Sequence, residues 1–328
     1  MCTFNGARYL QDQLASLAEQ TRLPDELILC DDCSEDETVQ LVERFTATAP
    51  FPVRLHVTAR NVGTIKNFER AIGLCSGDFI ALCDQDDVWL PEKLAHLEAQ
   101  FLRAPRVGLI FSDAEVIDET QHPTGDTLWQ KLGLNPRERQ RLRTAKAVDE
   151  LLQGSIVTGA TAAFRSSFKS LILPIPDDLP VIHDAWIAML IAAVSEVLPL
   201  PERLMKYREH SDQQIGPRER SGPNSAAGFT PAATREALAR DNPYREMLTI
   251  AQTARLRLVE HSSDLDSRQA VAGLEARIKH LQTRSTLPHA RRRRIRPVLR
   301  ELVSLRYHHY SKGTASAAKD LFHRVRTT

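Results

Sequence analysis

The chain has 328 residues, 42% of them hydrophobic, and a formal net charge of +1. That length fits one large domain with an appendage, or two domains, with apolar residues enough for a sizeable core. The near-neutral balance argues against bulk nucleic-acid binding, and no apolar run approaches the roughly 20 residues that a bilayer-spanning helix needs.

Taken in order, Met1-Cys2-Thr3-Phe4-Asn5-Gly6 leads into a helix whose Tyr9, Leu10, Leu14 and Leu17 recur at helical spacing, with Asn5 as its expected cap. After the Pro24-Asp25 break, Leu27–Cys30 reads as a short buried strand ending in Asp31-Asp32. Ser34 or Asp36 then caps a helix carrying Val39, Leu41, Val42 and Phe45. Val53, Leu55 and Val57 alternate as a strand, Asn61-Val62-Gly63 is a turn, and Ile65–Leu74 is a helix. The apolar run Phe79–Cys83 ends in Asp84-Gln85-Asp86-Asp87, after which Pro91 opens a helix with Lys93, Leu94, Leu97 and Phe101. The order β-α-β-α-β-α-β predicts an α/β, Rossmann-like and mostly parallel sheet flanked by helices.

The acid turn carries the chemistry. Carboxylates at the carboxyl end of a buried strand sit where open α/β sheets bind ligands. Asp84 and Asp86 alternate with Gln85, so both can face one point, where their repulsion calls for a cation. Oxygen ligands suit Mg²⁺ or Mn²⁺, which in turn hold phosphates. The plain alternative is a polar turn that caps a helix. All five cysteines, Cys2, Cys30, Cys33, Cys75 and Cys83, lie near the start of the chain, and they read as reduced thiols of a cytosolic protein. Cys30-x-x-Cys33 has redox or zinc spacing, yet no second pair accompanies it.

Further on, Val107–Phe111 is a strand and Leu128–Leu152 a helical stretch with charged faces. Gly154–Phe164 is rich in small residues. His183-Asp184-Ala185-Trp186 opens a strongly apolar helix through Val194. Val197-Leu198 and Leu204-Met205 read as short strands leading to Tyr207-Arg208-Glu209-His210. The polar stretch Gly216–Gly228 marks a boundary. Ala232–Thr283 reads as two helices separated near Ser262-Ser263. This divides the chain into a domain over 1–216, a linker over 217–230 and a helical C-terminal region with a basic tail over 231–328. Residues 285–328 carry 11 Lys and Arg against 2 Asp and Glu, a separate electrostatic object.

Together these pieces resemble glycosyltransferase family 2, with the GT-A fold, over about residues 1–216. The likeness rests on the opening Cys2–Gly6, the strand and acid turn Glu26–Ser34, the turn Asn61-Val62-Gly63, the Asp84-Gln85-Asp86-Asp87 motif, and His183-Asp184 with Trp186. Tyr207-Arg208-Glu209-His210 followed by Gln213-Gln214-Ile215-Gly216 is similar to a motif of the rhamnosyltransferase-like branch, as is Asp-Gln-Asp-Asp-x-Trp at 84–89. The resemblance implies that Thr3 and Asp32 contact a pyrimidine base and that Lys66 or Asn67 lies near the nucleotide. It also implies that Asp84 approaches the ribose or sugar, that Asp86 binds the metal with His210 closing over it, and that Asp184 is the general base. Asp184 read alone is a helix cap. The implied activity is inverting, metal-dependent transfer from a nucleotide sugar, dTDP-L-rhamnose first or a UDP-sugar, to a saccharide or lipid-linked acceptor in cell-surface polysaccharide synthesis. The family's usual glycine is replaced at Cys33.

Arg291-Arg292-Arg293-Arg294 reads as a solvated charge run, or as contact with an anionic membrane at the inner face of the plasma membrane by an otherwise cytoplasmic protein. One expectation concerns the start. A strand buried on both faces usually has about 5–6 residues, and only Met1-Cys2-Thr3 precede the expected cap at Asn5. The natural product is therefore expected to begin upstream. The alternative is a catalytically impaired, nucleotide-sugar-binding paralogue shortened at its first strand.

Overall fold

The computed structural model describes residues 1–144, 147–152, 156–211, 213, 243–263, 265, 267–311 and 313–322. The expected linker over 217–230 lies outside the described residues. Two compact units are present, one holding residues 1–177 and 182–213, the other the helices beyond residue 243 with the short stretch 178–181.

The first unit begins with β1 (Cys2–Thr3), α1 (Ala7–Ala18), β2 (Leu27–Asp31), α2 (Thr38–Thr46), β3 (Val53–Val57) and α3 (Thr64–Leu74). The three strands form a parallel sheet in the order β1-β2-β3, with Cys2 opposite Cys30 and Leu29 opposite Leu55. All five residues of β2 are buried, which is why it reads as an unbroken apolar run rather than an alternating one. β4 (Phe79–Ala81), β5 (Val88–Trp89), α4 (Lys93–Arg103), β6 (Val107–Ile117) and β7 (Pro123–Thr127) follow. The unit then continues through the short helices α5 (Leu128–Leu132), α6 (Pro136–Leu142) and α7 (Ala147–Leu151) to β8 (Ala162–Arg165), α8 (Lys169–Ile172), α9 (His183–Val194) and β9 (Glu196–Arg208). The second sheet has the order β4-β8-β6-β9-β5, with β7 on β6. The Cys2 N–H donates to the Cys83 carbonyl at 3.4 Å, carrying the first sheet onto the continuation of β4.

The expectation of a mostly parallel sheet holds for β1–β3 and for β6 with β9. The strand β8 runs antiparallel to both neighbours, and β5 and β7 are antiparallel as well. Periodicity within a strand carries no direction; the connection sets it. The acid turn between β4 and β5 contains no crossover helix, so the parallel rule does not apply there. Among its described residues the helical stretch Leu128–Leu152 holds three short helices; the first break arises because Gly133 adopts φ +65° as a left-handed stop and Asn135 caps the next helix in a box with Glu138. The two short strands expected near Leu198 and Met205 are one, β9. Asn5 does not cap α1. It sits at φ +47°, its Oδ1 accepts from the Glu35 N–H, and the amides of Gly6 and Ala7 are bound instead by Thr38 and Asp36.

The core beneath the site joins Leu10, Leu14 and Leu17 of α1 to Leu29, Cys83, Trp89 and Tyr207. Cys2, Cys30 and Cys83 are buried free thiols.

The second unit comprises α10 (Pro243–Glu260), α11 (Arg268–Ser285), α12 (Arg291–Val303), α13 (Arg306–Tyr310) and α14 (Thr314–Phe322). The expected break near Ser262-Ser263 separates α10 from α11. A small core of Leu287, Val298, Tyr307 and Ala317 is supplemented by a buried polar hub. The Asp320 carboxylate accepts from Arg284 Nε at 2.6 Å and from the Tyr307 hydroxyl at 2.7 Å. Such pairs are tolerated in a core because both partners are hydrogen-bonded.

Candidate active site

A cavity of about 430 Å³ opens where β1, the end of β2, α3, the acid turn, the start of α9 and the end of β9 meet. Thr3, Asp32, Asn67, Asp84, Asp86, Asp184 and His210, all expected site residues, line it. Lys66 does not. One residue from Asn67 is about 100° around the helix, and there its Nζ donates to the Ile175 carbonyl at 3.0 Å and pairs with Glu69 at 3.1 Å. Of the two alternatives for the nucleotide side, the geometry brings Asn67 to the cavity and takes Lys66 away.

The acid turn is held from several sides. Gln85 pairs its amide with the backbone of Phe4, accepting from the N–H at 2.8 Å and donating to the carbonyl at 3.1 Å. A Cβ on Gly6 would meet the Gln85 amide and have to displace it from the Phe4 backbone. Arg208 is 1% exposed. Its Nε donates to the Asp86 carbonyl at 2.7 Å, one terminal nitrogen reaches Asp12 at 3.0 Å and the other the Glu119 carbonyl at 3.1 Å. The Arg208 N–H donates to Asp87 Oδ1 at 3.0 Å. Below the turn, the fully buried Lys93 donates to the Ala160 carbonyl at 2.7 Å and lies 3.9 Å from the Trp89 ring centre. Burial pushes its ammonium down to about 7.

Within the cavity, His210 Nε2 is 2.9 Å from Asp86 Oδ2, and the His210 ring lies 4.6 Å from that of Tyr9. Burial, followed by the charges of Asp86 and Asp184, pushes Asp84 up to about 7. Asp87 is raised as well, chiefly by burial. This crowding of acids is what a bound cation relieves. Among the described residues no group of three His, Cys, Asp or Glu side chains is placed to hold a metal. The two expected ligands, Asp86 and His210, bring one carboxylate and one imidazole to the cavity, fewer donors than an ion needs without water or phosphate oxygens in its shell. The Nδ1 of His210 and one oxygen of Asp87 are buried without a hydrogen-bond partner.

Asp184 is the second residue of α9, which starts at His183 as expected; it lies inside the first turn and does not cap the helix, whose N-cap is Ile182. Its Oδ2 accepts from the Gly159 N–H at 2.9 Å and its Oδ1 from the Ala185 N–H. Burial outweighs these bonds and raises the carboxyl to about 7. That places its proton affinity where a general base works near neutrality. Beside it, His183 stacks on Phe68 with ring centres 3.9 Å apart, and neither ring nitrogen has a partner. Burial holds this imidazole neutral, down to about 3.

Thr3 and Asp32 line the cavity with their polar atoms already engaged. The Thr3 hydroxyl donates to Asp31 Oδ2 at 2.7 Å. Asp32 accepts from the Val62 and Gly63 N–H groups at 2.7 and 2.8 Å, tying the β2 turn to Asn61-Val62-Gly63. Asn67 donates to the Cys30 carbonyl at 2.8 Å and keeps a buried, unpaired Oδ1. Sequence reasoning assigned no role to Gln85, Lys93, Arg208 or Gly159. A lysine in the first turn of an apolar-faced helix and a glycine just before α1 were the available signals.

The sequence model of glycosyl transferase family 2 matches residues 1–171. An uncharacterized protein of Mycobacterium tuberculosis is 28% identical over 216 residues, covering 64% of this chain and 57% of the relative, so the chain spans little more than half of that relative's length. The dTDP-rhamnosyl transferase RfbG of Shigella flexneri is 33% identical over 98 residues, covering 29% of this chain and 34% of that protein. Among solved structures, S. aureus TarS 1–349 in complex with UDP-GlcNAc superposes with a TM-score of 0.52 at 18% identity, covering 98% of this chain and 91% of that one. This last likeness speaks for the GT-A fold.

Proposed function

The chain belongs to glycosyltransferase family 2, and from that premise we propose that it transfers a sugar from a nucleotide diphosphate donor to a hydroxyl of a saccharide or lipid-linked acceptor in cell-surface polysaccharide synthesis. Asp184 takes the proton of the acceptor hydroxyl as its oxygen attacks the anomeric carbon. The bond to the nucleoside diphosphate breaks on the opposite face, so configuration inverts. A single base suffices, without the flanking carboxylate pair of a hydrolase. Asp86 and His210 are the residues that would hold Mg²⁺ or Mn²⁺, whose chemistry is neutralisation of the diphosphate charge. Arg208 and Gln85 orient the acid turn, and Asp84 and Asn67 offer polar atoms to the donor.

The observation that carries this reading is the pairing in one cavity of a carboxyl raised to about 7, Asp184, with the Asp86–His210 couple. For the donor, dTDP-L-rhamnose comes first. Its support is the likeness to RfbG and the Asp-Gln-Asp-Asp-Val-Trp and Tyr-Arg-Glu-His motifs. The test is nucleotide release from a panel of dTDP-, UDP- and GDP-sugars with and without Mn²⁺. Metal-dependent release of dTDP from dTDP-rhamnose is expected; preference for another sugar nucleotide overturns the donor assignment, and release from none overturns the transfer reading.

A further inference from the structure

We propose that the outward face of α12 is a docking surface for an anionic lipid bilayer. This inference stands apart from the transfer reading and rests on the second unit alone. The helix has two distinct faces. Its inward face holds Arg294, Val298 and Glu301, all buried. Arg294 donates to the Asp320 carbonyl at 3.2 Å, and Glu301 meets His280 and Arg306, each at 2.7 Å. The run of four arginines is therefore not a uniform solvated patch, since one of the four is part of the core.

The outward face carries Ile295, Leu299 and Val303, 47%, 51% and 82% exposed. Spaced by four, they fall within about 80° of helix circumference. Arg292, Arg296 and Arg300, all exposed, lie within and along one border of this stripe, and Arg291 lies along the other. Near the start of the helix, Arg291 reaches the carbonyl of Phe322, a residue that is 63% exposed. Glu301 is the only acid in the helix, and because it faces inward the outward face is purely basic.

A row of large apolar side chains bordered by arginines matches the chemistry of a membrane interface. Apolar tips enter the acyl boundary while long guanidinium stems reach back to anionic headgroups. A second copy of the same face is disfavoured, because pairing it with itself would bring the arginines together. Single exposed apolar residues are ordinary on any surface; three in register on one basic stripe are not explained that way.

The test is flotation of the full chain with vesicles of phosphatidylcholine alone, and with vesicles in which about one third of the lipid is phosphatidylglycerol. Binding to the anionic vesicles only, weakening with salt, is expected. It should fall at least about tenfold both in Arg296→Glu/Arg300→Glu and in Leu299→Ser/Val303→Ser. A Val303→Trp chain should gain a blue-shifted fluorescence component on adding anionic vesicles, which keeps the test open if a double variant misfolds. Failure of the parent chain to float, equal binding by the variants, or an unshifted emission spectrum of the Val303→Trp chain overturns the proposal. So does a concentration-dependent dimer that Leu299→Ser dissolves without any vesicle binding.

Discussion

Arg208 Nε donates to the main-chain carbonyl of Asp86 at 2.7 Å, from a side chain that is 1% exposed. Two residues further along, His210 Nε2 lies 2.9 Å from the carboxylate of the same aspartate. The end of β9 thus grips the acid turn by its backbone and by its side chain, and two sequence motifs far apart in the chain form one device.

Arg208→Met should therefore leave the carbonyls of Asp86 and Glu119 without their donor and expose the turn to rearrangement. Losing a buried, charged hydrogen-bonding group costs on the order of 3 kcal/mol. Thermal melting should show a clear loss, and donor affinity by calorimetry should fall with it. Arg208→Lys should not restore either, because a single ammonium cannot reach three partners lying in different directions. A melting temperature within error of the parent would contradict this role.

For the cation, His210→Ala should raise the Mn²⁺ concentration for half-maximal donor hydrolysis at least about tenfold. Asp86→Asn should abolish the metal response while leaving the circular dichroism spectrum unchanged. An unaltered metal titration in both variants would remove the metal from this pair.

Part of the candidate site was legible because Asp84 and Asp86 sit at a strand end that period and punctuation mark. Asp184 and His210 stood out only through the family resemblance, and the fold brings all four to one cavity. Lys66 was not separable from Asn67 by sequence, since neighbours on a helix differ only by a rotation that the rest of the fold sets. Strand direction was hidden for the same kind of reason: β8 has the apolar pattern of a parallel core strand and pairs antiparallel on both sides. Gln85 looked like a spacer because its partners, the backbone groups of Phe4, lie 81 positions away.

The pH behaviour follows from Asp184. Its folded carboxyl is raised from 3.8 to about 7 by burial, so turnover should climb as pH passes through about 7 and the carboxylate forms. Stability runs the other way. A raised folded value contributes stability that is complete below the unfolded value near 4 and is lost as pH rises through the folded value. Rate profiles and melting curves over this window should therefore have opposite slopes, and Asp184→Asn should flatten the stability slope. A rate that is level across pH 6–8, with chemistry limiting, would contradict the assignment of the base.

Cys33 stands at φ +65°, a left-handed conformation that favours glycine. Cys33→Gly should stabilise the first unit by about 1 kcal/mol, raising its melting temperature by a few degrees without changing donor binding. A lower melting temperature would mean that the Cys33 side chain contributes packing larger than the backbone cost.

The most direct test of the central claim is Asp184→Asn, measured for transfer rate and donor affinity together. If Asp184 only accepts the acceptor proton, turnover should fall by about 10²-fold or more while the donor dissociation constant, by calorimetry in Mn²⁺, stays within about twofold. A fall in donor affinity that matches the fall in rate would make Asp184 a support for Gly159 and the start of α9, and would contradict its role as the base.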